Sequence, residues 1–385
     1  MNKTVKSKKI LMLIISIVVC LYAGYFICHN FFKTRSNTGL VSNVNTELQD
    51  ASTFAFHHVR LGSNASKGSL VALKESGGAV VIYEWQEYFP GSRPYVIVGN
   101  KVYLRDCDFD NKQFFLGAID LNKGNGNYEL EKIKEAKSCE FDDFTAVDDD
   151  IYYTKSGFVE EVFVLNTVTK EERILVKAQE RPNKRVSTRN ILASAKEKLL
   201  VYIKQVDDAE LGVNGYVKSE NALYLYNLET NQEELICDEC YPEFTHKGKL
   251  VYSTSSEGNG TYYEYDFTSK QFKKIVTINN NGWSVWENLI IPSEDGYFFI
   301  SYDNNITEIF KIKPGSNKEL IHQFTDFYPN NILIPAKNTL MFSQFYEQMD
   351  EAPLVETREL DLNNQKVVTN ENNYYCHIQL VDFKN

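Results

Sequence analysis

Beyond residue 32 the sequence lacks features that would point to several common classes of protein. It has no second long apolar run, so at most one membrane-spanning helix is expected. It has no sustained apolar period of 3.6 residues, and even the charged stretch EKIKEAK (131–137) shows none, so long helices are not expected. It contains no G-x-S-x-G, no H-E-x-x-H and no P-loop, and these motifs therefore identify no hydrolase or nucleotide site.

The first 32 residues differ sharply in composition from the rest. Residues 1–9 carry four lysines and no acid, and the run that follows is apolar apart from one serine and two tyrosines. Extended to residue 32, the run is long enough to cross a bilayer as a helix, which takes about 20 residues. Basic residues before such a run place that end in the cytoplasm. We predict a cytoplasmic tail over 1–9 and a transmembrane signal anchor over 10–32, with the bulk of the chain on the extracytoplasmic side of the cell membrane.

A cleaved signal peptide is the alternative to an anchor. Its apolar region would be shorter and would be followed by a small-x-small cleavage motif. Tyr22-Ala23-Gly24 is a poor version of that motif, and Lys33 and Arg35 resemble an interfacial stop. We therefore predict that the segment is retained, and that residues 33–67 form a stalk or linker and a first strand.

The charge balance reverses after the apolar run. Residues 36–385 hold 35 Lys+Arg and all 52 Asp+Glu, a formal charge of −17. Such a body is expected to repel nucleic acid and anionic polymers, and to favour cations, basic partners or neutral ligands. The alternative is that the charge only keeps an exported protein soluble.

One pattern recurs six times along the chain: a short strand, a polar turn and a second strand. The first strand usually ends in an acid or asparagine between two apolar residues. The six copies are FFLGAIDLNKGNG (114–126), VFVLNTVTKEERILV (162–176), LYLYNLETNQEELIC (223–237), YYEYDFTSKQFKKIV (262–276), IFKIKPGSNKELI (309–321) and TRELDLNNQKVV (357–368).

The spacing of these copies predicts the architecture. The equivalent residues are separated by 46, 61, 39, 47 and 48 positions: Asp120, Asn166, Asn227, Asp266, Lys313 and Asp361. A period in the forties is typical of β-propellers. The Asp or Asn before each turn is expected to accept turn N–H bonds, which is a structural role.

Further strands complete each unit. An aromatic strand precedes every copy, as in KLVYSTS (249–255), and some copies have another before it, as in NILIPAK (331–337). About four antiparallel strands per unit make one propeller blade. Three strands within 53–85 and NYYCHIQLV (373–381) supply a closing blade from both ends. We predict an all-β fold, a single β-propeller over 68–385, with seven blades favoured and six with spare strands as the alternative.

The repeat texture is similar to TolB-like and low-density-lipoprotein-receptor-like β-propeller repeats of exported proteins, over residues 95–370. The YWTD tetrapeptide, the WD dipeptide and the sialidase Asp box are absent. The resemblance implies a propeller fold and a binding role, and it carries over no functional residue.

The cysteines offer two candidate disulfides. Cys237 and Cys240 form a C-x-x-C that follows a strand and encloses two acids, which disfavour a reactive thiolate. Outside the cell a local disulfide is the expected state, while a metal site with His246 or a redox pair remains the alternative. Cys107 and Cys139 pair if their blades abut.

One stretch has the spacing of a calcium loop. Asp106, Asp108 and Asp110 alternate as in D-x-D-x-D, where carboxylates converge on one ion. Asn111 replaces the usual glycine at the sixth place, and Gly117 stands where a glutamate is expected at the twelfth. A calcium site and an ion-free acidic hairpin loop both fit. No other cofactor is expected.

Two functions of different class follow. The first is a non-enzymatic binding or scaffold module for a protein, peptide or glycan. The second is a propeller enzyme, of lyase or glycosidase type, with its site in the central channel. An enzyme should bring several carboxylates, histidines or arginines together there, whereas a binding module should expose an aromatic or apolar patch.

Overall fold

The computed structural model describes the part of the chain that carries the repeats. The described residues are 48, 50–60, 66–76, 78–85, 94–108, 113–123, 128–136, 140–155, 160–178, 184–208, 219–256, 259–279, 289–303, 306–313, 316–329, 331–336, 338–346, 354–371 and 373–380. Residues 45–381 form one compact unit. No helix among the described residues is long and apolar enough to span a bilayer. The tail (1–9) and the anchor (10–32) lie outside them and stay predictions.

The described chain forms 28 strands in seven four-stranded sheets. Blade 1 contains, in order across the sheet, β28 (Asn373–Leu380), β1 (Ala51–Arg60), β2 (Ser66–Lys74) and β3 (Ala79–Glu84). Blade 2 contains β4 (Tyr95–Val98), β5 (Lys101–Asp108), β6 (Gln113–Asp120) and β7 (Leu130–Ala136). Blade 3 contains β8 (Glu140–Val147), β9 (Asp150–Lys155), β10 (Val162–Asn166) and β11 (Glu172–Val176). Blade 4 contains β12 (Lys184–Ser194), β13 (Leu199–Asp208), β14 (Ser219–Asn227) and β15 (Gln232–Asp238).

The remaining three blades follow the same order. Blade 5 contains β16 (Cys240–His246), β17 (Lys249–Ser256), β18 (Asn259–Asp266) and β19 (Phe272–Asn279). Blade 6 contains β20 (Ile290–Pro292), β21 (Tyr297–Asp303), β22 (Ile306–Ile312) and β23 (Glu319–Phe324). Blade 7 contains β24 (Asn331–Ala336), β25 (Thr339–Tyr346), β26 (Leu354–Asp361) and β27 (Val367–Glu371). The fold is a seven-bladed β-propeller of antiparallel blades, so the alternative of six is wrong.

The first strand of each sheet lies nearest the centre of the ring. Strand β8 contacts both β4 and β12, β12 contacts β16, and β24 contacts both β20 and β28. We call β28, β4, β8, β12, β16, β20 and β24 the inner strands, and the last strand of each sheet an outer strand.

Blade 1 closes the ring with strands from both ends of the described chain, as predicted. Its inner strand β28 pairs with β1 from Thr53↔Leu380 to Val59↔Asn373. Strand β1 lies within the range 33–67 that the sequence assigned to the stalk and first strand, and β2 begins at Ser66, two residues before the predicted start of the propeller domain.

Each central strand is buried on both faces because blades stack on either side of it. In β13, Leu199, Val201 and Ile203 pack with residues of blade 5. The alternate residues Leu200 and Tyr202 pack with residues of blade 3. Side chains alternate between the two faces of a strand, so the continuous apolar run LLVYI serves two interfaces. Burying each such side chain contributes about 1.5–3 kcal/mol.

The predicted role of the turn acids is confirmed in five of the six copies. The side-chain oxygen accepts the N–H of the residue two positions on, at 2.8–3.0 Å: Asp120, Asn166, Asn227, Asp266 and Asp361. The remaining copy, the fifth (309–321), has Lys313, whose ammonium instead pairs with Asp295 at 2.6 Å. The fourth residue after the acceptor has a left-handed φ of 55–62°: Lys170, Asn231, Lys270 and Gln365. This shared conformation explains why the copies look alike in sequence.

The outer strands of blades 1 to 6 share an irregularity that was not predicted from the sequence. Each has one β-bulge, where the register with the third strand skips an aliphatic residue. The skipped residues are Ile82, Ile133, Leu175, Ile236, Ile275 and Ile321. Strand β27 of blade 7 pairs without a break. A bulge increases local twist, so six outer strands are bent at the same place.

Candidate functional site

The face of blade 5 that packs on blade 6 carries the candidate site. Val251 and Tyr262 of this face belong to one apolar cluster with Phe299 and Ile309 of blade 6. Ser253 opposes Tyr262 across β17 and β18, and directly opposed residues share a face of the sheet. The polar groups of this junction are therefore held against an apolar wall.

Glu243 enters this junction from the inner strand β16. The register of β16 with β17 passes from Pro242↔Tyr252 to Phe244↔Val251, so Glu243 is the extra residue of a bulge. A bulge re-aims a side chain, and Ser253 Oγ donates a hydrogen bond of 2.6 Å to Glu243 Oε1. Burial raises the pKa of Glu243 to about 7, although the Ser253 hydrogen bond acts to lower it. The residue as a whole keeps a partly exposed surface.

Tyr262 lies beside this carboxyl and is fully buried. Its hydroxyl has no hydrogen-bond partner among the described residues. Burial raises the pKa of Tyr262 well above its usual value, and the charge of Glu243 and the neighbouring Tyr302 raise it further. The Tyr302 hydroxyl donates to the carbonyl oxygen of Pro329. A buried hydroxyl without a partner costs about 1–3 kcal/mol, so Tyr262 offers an unused hydrogen-bonding group next to an acid.

A second acid on the same face is fully compensated. Glu264 is 8% exposed; Lys249 Nζ lies 2.5 Å from its Oε1, and the Tyr297 hydroxyl donates to its Oε2 at 2.5 Å. It lies at the floor of a shallow cleft further out along the junction, whose rim includes Lys273 and Lys313. Glu264 is therefore a structural acid, and it contrasts with Glu243, for which the described residues supply Ser253 and no cation.

Three kinds of chemistry are open to a carboxyl in the position of Glu243. When protonated it can donate a hydrogen bond to a neutral ligand, and when ionised it can bind a cation. Because its pKa lies near neutrality, it can also exchange a proton as a general acid or base.

Replacing Glu243 by glutamine should change how stability depends on pH. A carboxyl whose folded pKa is raised binds its proton more tightly in the folded state, so the wild type loses stability as pH rises from about 4.5 to about 7. Because the residue is partly exposed, we expect a loss of about 1–2 kcal/mol. Glu243→Gln removes this loss, so the melting temperatures of variant and wild type should agree near pH 4.5, diverge as the pH rises to about 7, and differ by a constant amount above that. A constant difference at all pH values would contradict this. Glu319→Gln, an exposed change of the same kind, is the control.

The predicted calcium residues are only partly described. Asp106 lies in β5 and is 5% exposed, and the Tyr83 hydroxyl donates to its Oδ2. The pairing of β5 with β6 continues to Asp108↔Gln113, so the D-x-D-x-D pattern begins inside a ladder. The side chain of Asp108 and the whole of Asp110 lie outside the described residues. No group of three or more His, Cys, Asp or Glu side chains suited to a metal occurs among the residues described. Calcium stays a prediction.

Of the two candidate cysteine pairs, the described residues include both side chains of one and not of the other. Cys237 is the next-to-last residue of the outer strand of blade 4, Cys240 begins the inner strand of blade 5, and the structure joins their sulfur atoms with a Cα–Cα distance of 6.1 Å. The bond thus spans the connection between the two blades. The Cys107 side chain and Cys139 lie outside the described residues, and their pairing stays a prediction.

The exposed large apolar residues form no common patch. They lie mainly one to an outer strand on different blades: Val81, Ile174, Leu235, Phe272, Leu320 and Val368. Single exposed apolar residues are ordinary on protein surfaces.

Glu243 and Tyr262 were missed by the sequence reasoning. The chain has 52 acids and 24 tyrosines; Glu243 belongs to no motif, and Tyr262 belongs only to the structural repeat (262–276). One signal was available: in CYPEFTH, Glu243 is a lone acid between Pro242 and Phe244 on the strand that precedes LVYSTS. An acid at that position in an inner strand has to be buried or face the channel.

Comparisons with known proteins identify the fold and no family. No family model matches the chain, and no curated protein sequence does. A solved structure from a study of two prolyl endopeptidases matches at 12% identity with a TM-score of 0.52, covering 86% of this chain and 50% of that one. Oligogalacturonate lyase from Vibrio parahaemolyticus matches at 11% and 0.49, covering 83% and 86%. TolB from Acinetobacter baumannii matches at 7% and 0.40, covering 83% and 80%. The match with a TM-score of 0.52 supports the β-propeller fold alone.

Proposed function

We propose that this chain is a membrane-anchored, extracytoplasmic β-propeller that binds a protein, peptide or glycan without catalysing a reaction. Its binding site is the inner end of the junction between blades 5 and 6. One observation carries the proposal: Glu243 has no cationic partner among the described residues and adjoins the Tyr262 hydroxyl, which has no partner there either. Buried polar groups are almost always paired, so this site can accept a partner that the described residues do not supply.

The membrane part of the proposal rests on the amino-terminal sequence. Four lysines precede the only long apolar run, over residues 10–32. Protease added to intact cells should therefore digest the propeller domain. Survival of the domain on intact cells, with digestion after lysis, would contradict the proposed location.

Binding is tested with the full-length chain in detergent or nanodiscs on a glycan array and a peptide library. We expect at least one ligand to bind the wild type and the Glu319→Gln control equally, and to lose at least about tenfold in affinity in Glu243→Gln and Tyr262→Phe. A lost hydrogen bond to a charged group is worth about 1.5–3 kcal/mol, and about 1.4 kcal/mol is tenfold. Ligands that bind all four proteins alike would place the site elsewhere.

A propeller enzyme of lyase or glycosidase type is the second candidate, and the pKa of Glu243 favours it. Shifted acids that titrate near neutrality are common in active sites. Mass spectrometry of the same bound ligands distinguishes the two: intact ligands support a binding module, and shortened or unsaturated products that Glu243→Gln fails to make support an enzyme.

A further inference from the structure

Three places in the propeller share one arrangement of side chains, which we call the Lys–Glu–Tyr triad. In each, a lysine ammonium and a tyrosine hydroxyl bind the same glutamate carboxylate. The triads are Lys134–Glu172–Tyr153, Lys204–Glu233–Tyr202 and Lys249–Glu264–Tyr297. A carboxylate taken from water needs both charge compensation and hydrogen bonds, and the triad provides both.

The inner end of the blade 5/6 junction has a glutamate and a nearby tyrosine, but this tyrosine does not bond to the carboxylate and no lysine among the described residues pairs with it. Glu243 supplies the carboxyl and Tyr262 the phenol, while Ser253 is the hydrogen-bond donor that the described residues provide. We infer that Glu243 and Tyr262 bind a primary ammonium group carried by the ligand, which takes the place of the missing lysine. This inference rests on the proposed function, whose ligand it defines further.

The geometry suits an ammonium that enters from the centre of the ring. Glu243 belongs to the inner strand and is partly exposed, whereas Tyr262 is fully buried behind it. The ammonium donates one N–H to the Glu243 carboxylate and another to the Tyr262 oxygen, and Ser253 continues to donate to Oε1. Every polar group of the site then has a partner. The net charge of −17 on residues 36–385 attracts cations to the protein.

Proton and ammonium compete for the same carboxylate. The pKa of Glu243 is raised by burial and lowered by the Ser253 hydrogen bond. The titratable group facing it is Tyr262, which in turn faces Tyr302. No charged side chain described on its own strand or on the strands packed against β16 shifts this pKa. Those side chains are His246 on β16, Lys184, Arg185 and Arg189 on β12, Lys204 and Asp207 on β13, Glu220 on β14 and Lys249 on β17. Ammonium binding should therefore follow the ionisation of Glu243 alone.

The test is calorimetry of the full-length chain in nanodiscs with n-butylammonium chloride. Two probes serve as controls: n-butanol, which has the same shape without charge, and tetramethylammonium, which has the charge without an N–H donor. We expect saturable n-butylammonium binding that is about tenfold tighter at pH 8 than at pH 6, because a carboxyl of pKa about 7 is mostly protonated at the lower pH. We expect no binding of either control.

Four variants complete the test. Glu243→Gln should abolish n-butylammonium binding, Tyr262→Phe should weaken it several-fold, and Glu319→Gln should leave it unchanged. Glu243→Asp keeps the charge and guards against a folding defect of the glutamine variant, which thermal melting also checks. No saturable binding to the wild type, equal binding of n-butanol, or binding that survives Glu243→Gln would each overturn the inference.

Competition with n-butylammonium identifies the class of ligand that carries the ammonium. Triglycine against its N-acetylated form tests a peptide amino terminus, and glucosamine against N-acetylglucosamine tests an amino sugar. In each pair the free amine should displace n-butylammonium and the acetylated form should not. An array ligand that depends on Glu243 but is not displaced by n-butylammonium would overturn the ammonium inference and leave the proposed function standing.

Discussion

Lys204→Met is expected to lower the free energy of unfolding by about 3–5 kcal/mol, the cost of leaving the buried Glu160 and the partly exposed Glu233 without their cation. The Lys204 side chain is 2% exposed and lies between two carboxylates. Its Nζ is 2.8 Å from Glu233 Oε1 and 3.6 Å from Glu160 Oε1, and it sits over the ring of Tyr224 at 4.8 Å from the centroid. Glu160 comes from blade 3, so removal of this charge loosens the contact between blades 3 and 4.

Denaturant unfolding of the full-length chain measures this effect. Lys177→Met, an exposed change of the same kind, should stay within about 0.5 kcal/mol of the wild type. Adding Glu160→Gln and Glu233→Gln to Lys204→Met should recover part of the loss, since no buried charge is then left uncompensated. The network contributes little if the free energy of unfolding of Lys204→Met lies within about 1 kcal/mol of the wild-type value. That margin is about one-third of the smallest expected loss.

Ending the chain after Glu371 is expected to cost a free energy comparable to the whole stability of an ordinary domain, about 5–15 kcal/mol. The truncation removes β28, the inner strand of blade 1, and with it the pairing from Thr53 to Val59. It also removes Tyr375, whose ring stacks on His57 at 4.4 Å between centroids and whose N–H donates to Ser343 Oγ at 3.2 Å. Blade 1 then loses the contact that β28 makes with Ser343 of blade 7.

Limited proteolysis and thermal melting test this result. The truncated chain should be cut within residues 51–84 under conditions in which the wild type is intact. Ending the chain after Leu380 instead keeps all of β28 and should leave the melting temperature nearly unchanged. If both truncations melt like the wild type, closure by the carboxyl-terminal strand is not what stabilises the ring.

Much of the fold could be read from the sequence because each blade repeats the same local chemistry. An acid or asparagine such as Asp266 is needed at the turn, where its side chain accepts the N–H groups of Thr268 and Ser269. Because most blades have this requirement, an acid or asparagine recurs in the sequence at a nearly regular interval. The seventh blade followed from the unpaired strands at the two ends, because a ring is complete only when both are used.

The candidate site could not be read in the same way. Whether Glu243 is an ordinary surface acid or a buried one depends on the packing of blade 6 against blade 5, which brings Tyr302 and the apolar cluster to it from distant parts of the chain. The bulges were hidden for a related reason. Ile275 looks the same in the sequence whether or not the ladder skips it, because the choice is made by the twist of the whole sheet.

The bulges at the outer strands have a consequence for how the protein behaves at high local concentration. An outer strand presents unpaired N–H and C=O groups along its free edge, and a long straight edge is a template on which another chain can add. Six of these edges are bent at the bulge, and charged residues such as Glu233, Glu234, Lys273 and Lys274 lie along them. The one unbent edge, β27, has only five residues. The rim of the propeller is thus a poor starting point for aggregation, and neighbouring molecules can crowd together without their sheets joining.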